Sequence, residues 1–324
     1  MSYRQLTLKE RYHIFQCLRM GMSQKEIAES IGVHPSTISR ELRRNRKPSG
    51  EGYEYDTAEL LSRERHRKKP KHRVIDSSKE RYIRAGLNKQ WSPEQIAGRM
   101  RLERDESISV ETIYRFIYAN SLRGGRLYKN LRHGYKHRRH RGEPAEGRGV
   151  IPDRVLIDER PEIVEEKSRI GDLELDTVIG KGHQGALVTL VDRKSKFLLV
   201  RKVASKHARL VTDAMVEMLE PIKEVIKTLT SDNGKEFAYH KEITQKLDSE
   251  FYFAHPYHSW ERGLNEHTNG LIRQYLPKKT DFTTVTDKEI HSIQEKLNHR
   301  PRKVLNYRTP YEVFFEELLK EMTA

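Results

Sequence analysis

Cysteine is nearly absent from this 324-residue sequence, which contains only Cys17. A single thiol cannot form an intrachain disulfide or supply a cysteine-based zinc finger, so the composition is typical of a reducing cytoplasm. Cys17 falls among the apolar positions of a predicted helix, and we interpret it as a small core residue. No apolar run approaches the ~20 residues that span a bilayer, and the N-terminal residues lack the apolar core of a signal peptide. We therefore expect a cytoplasmic protein without a membrane partner.

Acidic residues are scarce in the first half of the chain. Residues 1–150 contain 34 Lys and Arg against 18 Asp and Glu, whereas residues 151–324 contain 28 against 29. The whole positive excess therefore lies in the N-terminal half. A concentrated basic surface is typical of proteins that bind a polyanion, and phosphate contacts dominate affinity for nucleic acids.

The N-terminal 50 residues have the pattern of a helix-turn-helix unit. Apolar residues recur at helical spacing over residues 7–20 and 23–31, and a third helix is predicted after residue 36, to about residue 46. Gly21 and Gly32 end the first two helices, and Ser23 caps the second. The alternative is a small helical bundle with a solvated charged face. The third helix presents short polar and arginine side chains suited to reading DNA, namely Ser36, Thr37, Ser39, Arg40, Arg43 and Arg44.

A second, weaker helix-turn-helix pattern follows at residues 91–118. Ser92 and Ser109 would cap its two helices, with a polar turn at residues 103–107. The basic residues 63–73 are predicted to follow DNA phosphates. Residues 124–149 are rich in Gly, Arg and His, and residues 136–141 are predicted to form a basic arm on DNA. The predicted domains are 1–50, 51–123, a linker at 124–169 and a catalytic domain at 170–324.

The C-terminal half has the pattern of an α/β domain. Strands are predicted at residues 170–180, 186–192 and 197–203, which form a meander. A helix at 207–219, a strand at 225–229, a helix at 235–247, a strand at 251–254 and a helix containing Glu266 follow. In α/β domains of this kind ligands bind beyond strand ends.

Three acidic residues stand where a nucleic-acid phosphotransferase needs carboxylates. Asp176 lies in the first strand, Asp232 follows the fourth, and Glu266 opens the last helix. Mg²⁺ prefers oxygen ligands, and two such ions about 3.5–4 Å apart can assist an in-line phosphoryl displacement. Taken singly, the three residues could instead be an exposed strand acid, an Asx turn and a helix N-terminal charge.

Other polar residues near these acids have predicted roles as well. A role for Glu174 as a supporting acid remains an open hypothesis. Asp192 and Glu236 are interpreted as surface charges. Asn269 and Arg273 follow Glu266 by three and seven residues, on one face of the predicted helix. We predict that they hold DNA phosphates near the metal ions, although for Asn269 a solvated helix face is an equal alternative.

The chain resembles bacterial insertion-sequence transposases of the insertion-sequence-thirty family. The resemblance rests on the strings LELDTVIG (173–180), SDNG (231–234), NEHTNGLIRQY (265–275) and LNHRPRK (297–303), and on the helix-turn-helix at residues 6–46. It departs from the family at Leu173 and Leu175, where Trp and Gly are usual. The resemblance implies an RNase H-like catalytic domain with a mixed five-stranded sheet, preceded by all-α helix-turn-helix domains. It assigns the catalytic and metal-binding triad to Asp176, Asp232 and Glu266.

The resemblance also implies a function and partners. The enzyme would bind the terminal inverted repeats of an insertion sequence, cleave a strand with two Mg²⁺, for which Mn²⁺ would substitute, and join the freed end to target DNA. It would act as a homo-oligomer on double-stranded DNA, in the bacterial cytoplasm at the nucleoid. The alternatives are a non-catalytic helix-turn-helix regulator and an RNase H-like nuclease that cuts without joining. No His-X-His pair is present, so the motif of histidine-metal relaxases is missing.

Overall fold

The computed structural model describes residues 5–46, 52–68, 74–132, 151–256 and 258–323. The chain forms two compact units, residues 1–73 and residues 74–324. Within the described ranges, no helix combines the length and apolar character needed to cross a bilayer.

The first unit contains the predicted helix-turn-helix. Its helices are α1 (Leu8–Arg19), α2 (Gln24–Ile31) and α3 (Pro35–Arg44). Thr7 and Ser23 form capping boxes at the starts of α1 and α2, and Gly32 ends α2 with a φ of 73°. Glycine adopts this left-handed conformation without strain because it has no Cβ. Cys17 is buried in the core, as predicted, together with residues that include Ile14, Ile27 and Ile38.

A fourth helix of this unit, α4 (Tyr55–Lys68), was not predicted. It packs on α1 and is joined to it by the buried side chain of Arg11, which lies 2.7 Å from Glu41 and 2.5 Å from Glu59. Residues 63–68 of the predicted phosphate-tracking stretch are the end of α4, where Arg65 donates a hydrogen bond to the Arg44 carbonyl. Residues 69–73 of that stretch lie outside the described residues.

The second unit begins with a helical bundle. It consists of α5 (Ser77–Asn88), α6 (Pro93–Arg104) and α7 (Val110–Leu122), followed by a 3-10 turn at Leu127–Asn130. The predicted caps Ser92 and Ser109 are confirmed, whereas α5 was not predicted and α6 includes the first two residues of the predicted turn at residues 103–107. The predicted basic arm at residues 136–141 lies outside the described residues. The core of this bundle is formed by Ile83, Leu87, Trp91, Ile96, Met100, Ile108, Ile113 and Ile117.

A mixed five-stranded sheet follows a short helix, α8 (Ile163–Glu166), and confirms the predicted fold class. The order is β3-β2-β1-β4-β5; β1, β2 and β3 are antiparallel, while β4 runs parallel to β1 and to β5. β4 starts three residues later than predicted, because residues 220–225 form a 3-10 turn. The strands are β1 (Asp172–Ile179), β2 (Ala186–Asp192), β3 (Leu198–Val203), β4 (Thr228–Ser231) and β5 (Glu250–Phe253).

Helices cover both faces of this sheet. The first face, which includes Leu173 and Leu175, packs on α9 (Ala208–Leu219) and α10 (His240–Leu247). The opposite face, which includes Val178, packs on α11 (Gly263–Tyr275) and α12 (Asp287–Asn298). Because side chains alternate along a strand, Glu174 and Asp176 face the α11 side together with Val178.

The last helix, α13 (Pro310–Thr323), and the turn before it contact the helical bundle. Arg99 of α6 donates hydrogen bonds to both carboxylate oxygens of Glu312, with distances of 2.7 and 2.5 Å. A Cβ on Gly98 would lie 2.3 Å from the ring of Tyr307, so α6 and this ring are in direct contact. Residues 74–132 and the C-terminal helices therefore pack as parts of one compact unit. The narrower boundaries predicted at residues 123 and 169 stay predictions.

Candidate active site

The register of two parallel strands brings Asp176 and Asp232 together. Asp172 and Glu174 of β1 pair with Thr228 and Thr230 of β4. Continuing this register by two residues places Asp176 opposite Asp232, directly after β4 ends at Ser231. The two carboxylates therefore occupy equivalent positions of adjacent strands.

Asp176 is held by hydrogen bonds from two sides. Its Oδ2 accepts from the side-chain amide of Asn269 at 2.7 Å, and its Oδ1 accepts from the backbone N–H of Thr177 at 2.9 Å. Burial raises the pKa of Asp176 to about 6, because it disfavours the charged form; Arg262 opposes this shift and Asp232 adds to it. A cation bound between the two carboxylates would therefore be favoured by their shared negative charge.

Asp232 does form the Asx turn considered above, but this uses only one of its oxygens. Oδ1 accepts a hydrogen bond from the N–H of Gly234 at 2.9 Å, while Oδ2 lies 3.4 Å from Nη2 of Arg262. A Cβ on Gly234 would approach Oε2 of Glu236 to 2.5 Å and Oδ1 of Asp232 to 2.9 Å. A side chain at this position would therefore displace one or both carboxylates, and glycine leaves them in place.

Arg262 is a residue of this site that sequence reasoning missed. Its guanidinium lies 3.8 Å from Oδ1 of Asp176 and 3.4 Å from Oδ2 of Asp232, and its buried Nε has no hydrogen-bond partner. The available signal was an arginine four residues before Glu266, just ahead of the predicted helix. Its position shows that one positive charge can contact both carboxylates at once.

Glu266 lies in the first turn of α11 and is exposed. Asn269, one helical turn later, contacts Asp176, so Glu266 belongs to the turn of helix beside the Asp pair. Within the described ranges, no group of three or more His, Cys, Asp or Glu side chains is arranged to hold a metal ion. The structure thus brings two of the three predicted acids together and places the third on the adjacent helix face.

The donors around the Asp pair are suited to a hard divalent cation. Both carboxylates already share the positive charge of Arg262. In addition, Oδ1 of Asn269 is buried and has no hydrogen-bond partner, which leaves a further oxygen donor beside Asp176. Hard divalent ions are bound through one or two carboxylates and keep several waters. The residues present therefore fit such an ion.

Glu174 is buried and binds the start of α11. Its Oε1 accepts from Arg193 at 3.1 Å, and its Oε2 accepts from the backbone N–H of Asn265 at 3.3 Å. Burial raises its pKa, and Arg193 opposes that shift. Both carboxylate oxygens of Glu174 are thus engaged away from the Asp pair, and the residue ties α11 to β1.

The interpretation of Asp192 and Glu236 as surface charges was wrong. Asp192 is completely buried and accepts hydrogen bonds from Ser195 N–H at 2.6 Å and Gly171 N–H at 2.9 Å. Glu236 is 8% exposed and accepts from the Thr177 hydroxyl at 2.8 Å. These hydrogen bonds compensate for the loss of water around the two carboxylates, so burial is tolerated.

Arg273 lies one further turn along the face that carries Glu266 and Asn269. Its Nη2 donates to the Ile179 carbonyl at 2.7 Å, and its guanidinium stacks over the ring of Phe282 at 5.5 Å. In this position it joins the C-terminal part of α11 to the end of β1. Its predicted contact with a DNA phosphate stays a prediction.

The predicted recognition residues lie on α3 in the first unit. Ser39, Arg40, Arg43 and Arg44 are exposed, whereas Ser36 and Thr37 are half-buried. Ile38 and Glu41 face inward and fix the helix against its neighbours. The arginines therefore share the outer face of α3, as a DNA-reading helix requires.

Two family models match this chain. Residues 2–45 match a helix-turn-helix domain, and residues 166–259 match an integrase core domain. The second match contains Asp176 and Asp232 and ends shortly before α11. The catalytic core domain of BIV integrase is a similar solved structure, with 17% identity and a TM-score of 0.39 over 47% of this chain and 98% of that chain.

Several curated relatives are similar over nearly the whole chain. The transposase for insertion sequence element IS4351 of Bacteroides fragilis is 50% identical over 309 residues, which cover 95% of both chains. Transposase InsI for insertion sequence element IS30A of Escherichia coli (strain K12) is 37% identical over 324 residues, covering 95% of this chain and 82% of that protein. This chain belongs to the IS30 family of transposases. The transposase is a DDE-type enzyme with an RNase H-like core, it binds DNA through its helix-turn-helix domain, and it catalyses DNA transposition.

Membership in this family also bears on whether the chain is an enzyme or a non-catalytic helix-turn-helix regulator. An integrase core in a transposase favours an enzyme over a non-catalytic regulator. Such a core depends on divalent metal ions, which agrees with the oxygen donors around the Asp pair.

Proposed function

We propose that this transposase binds the terminal inverted repeats of its insertion sequence and uses Asp176, Asp232 and Glu266 for two-metal strand cleavage and strand transfer. The observation that supports this most directly is the shared contact of Asp176 and Asp232 with the Arg262 guanidinium. Two carboxylates at equivalent positions of parallel strands, facing one cation, are the core of such a site.

Each residue has a distinct part in this proposal. Asp176 and Asp232 would hold Mg²⁺, for which Mn²⁺ substitutes, and Glu266 would complete the ligand set from α11. Bound Mg²⁺ would supply charge stabilisation for the attacking and leaving oxygens of the displacement. Asn269 orients Asp176 through its amide, and a bound ion would take the place of the Arg262 charge that the two carboxylates share.

The DNA-binding part of the proposal rests on α3. Its exposed arginines are suited to bidentate contacts with guanine in the major groove, and Ser39 is short enough to let the helix approach the bases. Because two element ends must be joined in one reaction, we propose that the transposase works as a homo-oligomer on DNA.

The test uses the full chain with DNA that carries the element's ends, an unrelated target duplex and Mg²⁺. Asp176→Asn, Asp232→Asn and Glu266→Gln should each reduce strand cleavage by more than the roughly 100-fold that loss of a ligand-orienting partner costs. Binding to the ends in EDTA should persist, because each change keeps the shape of the side chain. Titration of Mn²⁺ by electron paramagnetic resonance should show fewer bound ions in each variant.

Asp287→Asn is the matched control, since this acid is 86% exposed at the start of α12, away from the Asp pair. It should cleave and bind Mn²⁺ like the wild type. A variant of the triad that still cuts at a near-normal rate would remove that residue from the catalytic assignment. Cleavage by the wild type without any joined product would instead indicate a nuclease that does not transfer strands.

A further inference from the structure

Three arginines surround the outer face of α11, on the side next to Glu266. Arg300 donates to Oε1 of Gln274 at 3.1 Å and to the hydroxyl of Tyr275 at 2.6 Å. Arg302 donates to the Leu297 carbonyl at 3.2 Å. Arg132, from the end of the helical bundle, reaches the same helix, because a Cβ on Gly270 would lie 3.5 Å from its Nη2.

These guanidinium groups differ in their partners from Arg11, Arg99 and Arg193. Arg11, Arg99 and Arg193 each have a glutamate within 3.1 Å. In the part of the chain that the structure describes, Arg300 and Arg302 donate hydrogen bonds only to neutral groups, and the charges of Arg132 and Arg300 act on Arg302. Arg300 is buried, whereas Arg132 and Arg302 are half-buried. Positive charges held in such positions without a negative partner are costly, so the cluster is suited to an external anion.

Two N–H donors in the cluster are also unused. Nε of Arg300 and Nε of Arg302 are buried and have no hydrogen-bond partner. Burial and the neighbouring guanidinium groups of Arg300 and Arg132 lower the pKa of Arg302 to about 10. An anion that accepted hydrogen bonds from both Nε atoms would satisfy these donors and neutralise the local excess of charge.

The position of the cluster on α11 connects it to the catalytic face. Glu266, Asn269 and Arg273 follow one face of the helix, whereas Gly270 and Gln274 follow the adjacent face, about 100° around the axis. The cluster therefore lies beside the helix face that carries Glu266 and Asn269. Arginine forks match the oxygen geometry of phosphate groups.

We propose that Arg132, Arg300 and Arg302 form a binding site for a backbone phosphodiester of DNA, beside the catalytic carboxylates and separate from them. The proposal rests on the DNA binding of this transposase and is independent of its metal chemistry. Since Arg132 belongs to the helical bundle and the other two follow α12, a bound phosphate would also link these two parts.

The test measures the affinity of the full chain for repeat DNA and for random DNA by fluorescence anisotropy, in EDTA, over a range of salt concentrations. The variants are Arg132→Gln, Arg302→Gln and the double substitution. Because the site holds one phosphodiester, the double change should reduce the slope of log K against log salt by about 0.9, and each single change by no more than that. Affinity for both DNAs should fall by the same factor, because phosphate contacts carry no sequence information.

Control variants separate phosphate binding from a structural role. Arg209→Gln removes an exposed arginine of α9 that is paired with Asp213 and Glu242, and it should leave the slope unchanged. Arg302→Lys keeps the charge and should retain most of the slope. If the guanidinium of Arg302 had only a structural role, Arg302→Lys and Arg302→Gln would instead change DNA binding to the same extent. Arg132 makes no hydrogen bond within the described residues, so Arg132→Gln should fold normally by circular dichroism.

A second measurement distinguishes DNA from free phosphate. Thermal stability is compared in phosphate and in chloride at matched ionic strength, for the wild type and the double variant. Stabilisation by phosphate in the wild type alone, with an unchanged DNA slope, would show a site for the free ion and overturn the DNA assignment. Unchanged slopes and no phosphate effect would overturn the site altogether. Loss of cleavage in the carboxylate variants does not affect either measurement, because both are made without Mg²⁺.

Discussion

The substitution Gly98→Ala in α6 tests the contact between the helical bundle and the turn before α13, because it adds one methyl group at that contact. An added Cβ would lie 2.3, 2.3 and 2.4 Å from three ring atoms of Tyr307, whereas carbon atoms pack at about 3.5–4.0 Å. The ring cannot retreat freely. Tyr307 adopts a φ of 63°, its N–H donates to the Arg302 carbonyl at 2.8 Å, and its own carbonyl accepts from Arg99.

Two effects of opposite sign compete in Gly98→Ala. Replacing glycine inside a helix stabilises by about 0.5–1 kcal/mol, and inserting a methyl group into a packed contact costs about 1–3 kcal/mol. We expect the second effect to dominate, with a net loss of about 1–2 kcal/mol. Gly270→Ala in α11 is the matched control, because its Cβ would meet only Arg132 at an ordinary 3.5 Å. That substitution should stabilise by about 0.5–1 kcal/mol.

Urea denaturation followed by tryptophan fluorescence is the suitable assay. Trp91 is buried in the core of the bundle, whereas Trp260 is 70% exposed and should change little. Far-UV circular dichroism follows the remaining helices in the same samples. Combining Gly98→Ala with Tyr307→Ala should cost less than the sum of the two single changes, because removal of the ring relieves the clash. If Gly98→Ala stabilised the protein as much as Gly270→Ala, the proposed contact with Tyr307 would be refuted.

Two further predictions concern an ion pair and the recognition helix. Hydrogen bonding to Arg99 lowers the pKa of Glu312 to about 2, so its contribution to stability should be complete above the unfolded-state value near 4.5 and be lost as the pH falls toward 2. Glu312→Gln should therefore lower the melting temperature at pH 7 more than at pH 3, and an equal loss at both would contradict the ion pair. Arg40→Ala on α3 should reduce the preference for repeat over random DNA by about 5- to 150-fold in competition gel shifts, since a good base contact provides about 1–3 kcal/mol of discrimination. An equal loss of affinity for both DNAs would make Arg40 a phosphate contact instead, and Arg209→Gln again serves as the control.

Local sequence patterns predicted most of the sheet and its helices because these elements bury regular apolar faces. β2, for example, begins and ends as predicted, at Ala186 and Asp192. α4 was missed for the opposite reason, since Ala58 is its one buried residue and most of its sequence is polar. Its position depends on the long-range contact of Arg11 with Glu59, which no local period reveals.

In the candidate site too, some residues could be predicted from the sequence, and others depend on contacts between distant parts of the chain. The order of the elements and the family resemblance were sufficient to select Asp176 and Asp232, and the parallel register of β1 and β4 brings the two residues together. The location of Arg262 between them could not be predicted, since it depends on the turn that connects β5 to α11. Buried acids were also misjudged, because a charge is expected at the surface until its distant hydrogen-bond donors are known.

The contact between α6 and α13 has a consequence for the order of events during synthesis. Arg99 and Glu312 are 213 residues apart in the chain. At roughly 5–20 residues per second, a ribosome needs about 10–40 s to make the partner of Arg99 after Arg99 itself. During that interval the nascent chain already contains its complete helix-turn-helix, while the bundle still lacks its contact with α13. Translation that stopped within this window would release a polypeptide with its helix-turn-helix domain but without the contact that closes the catalytic unit.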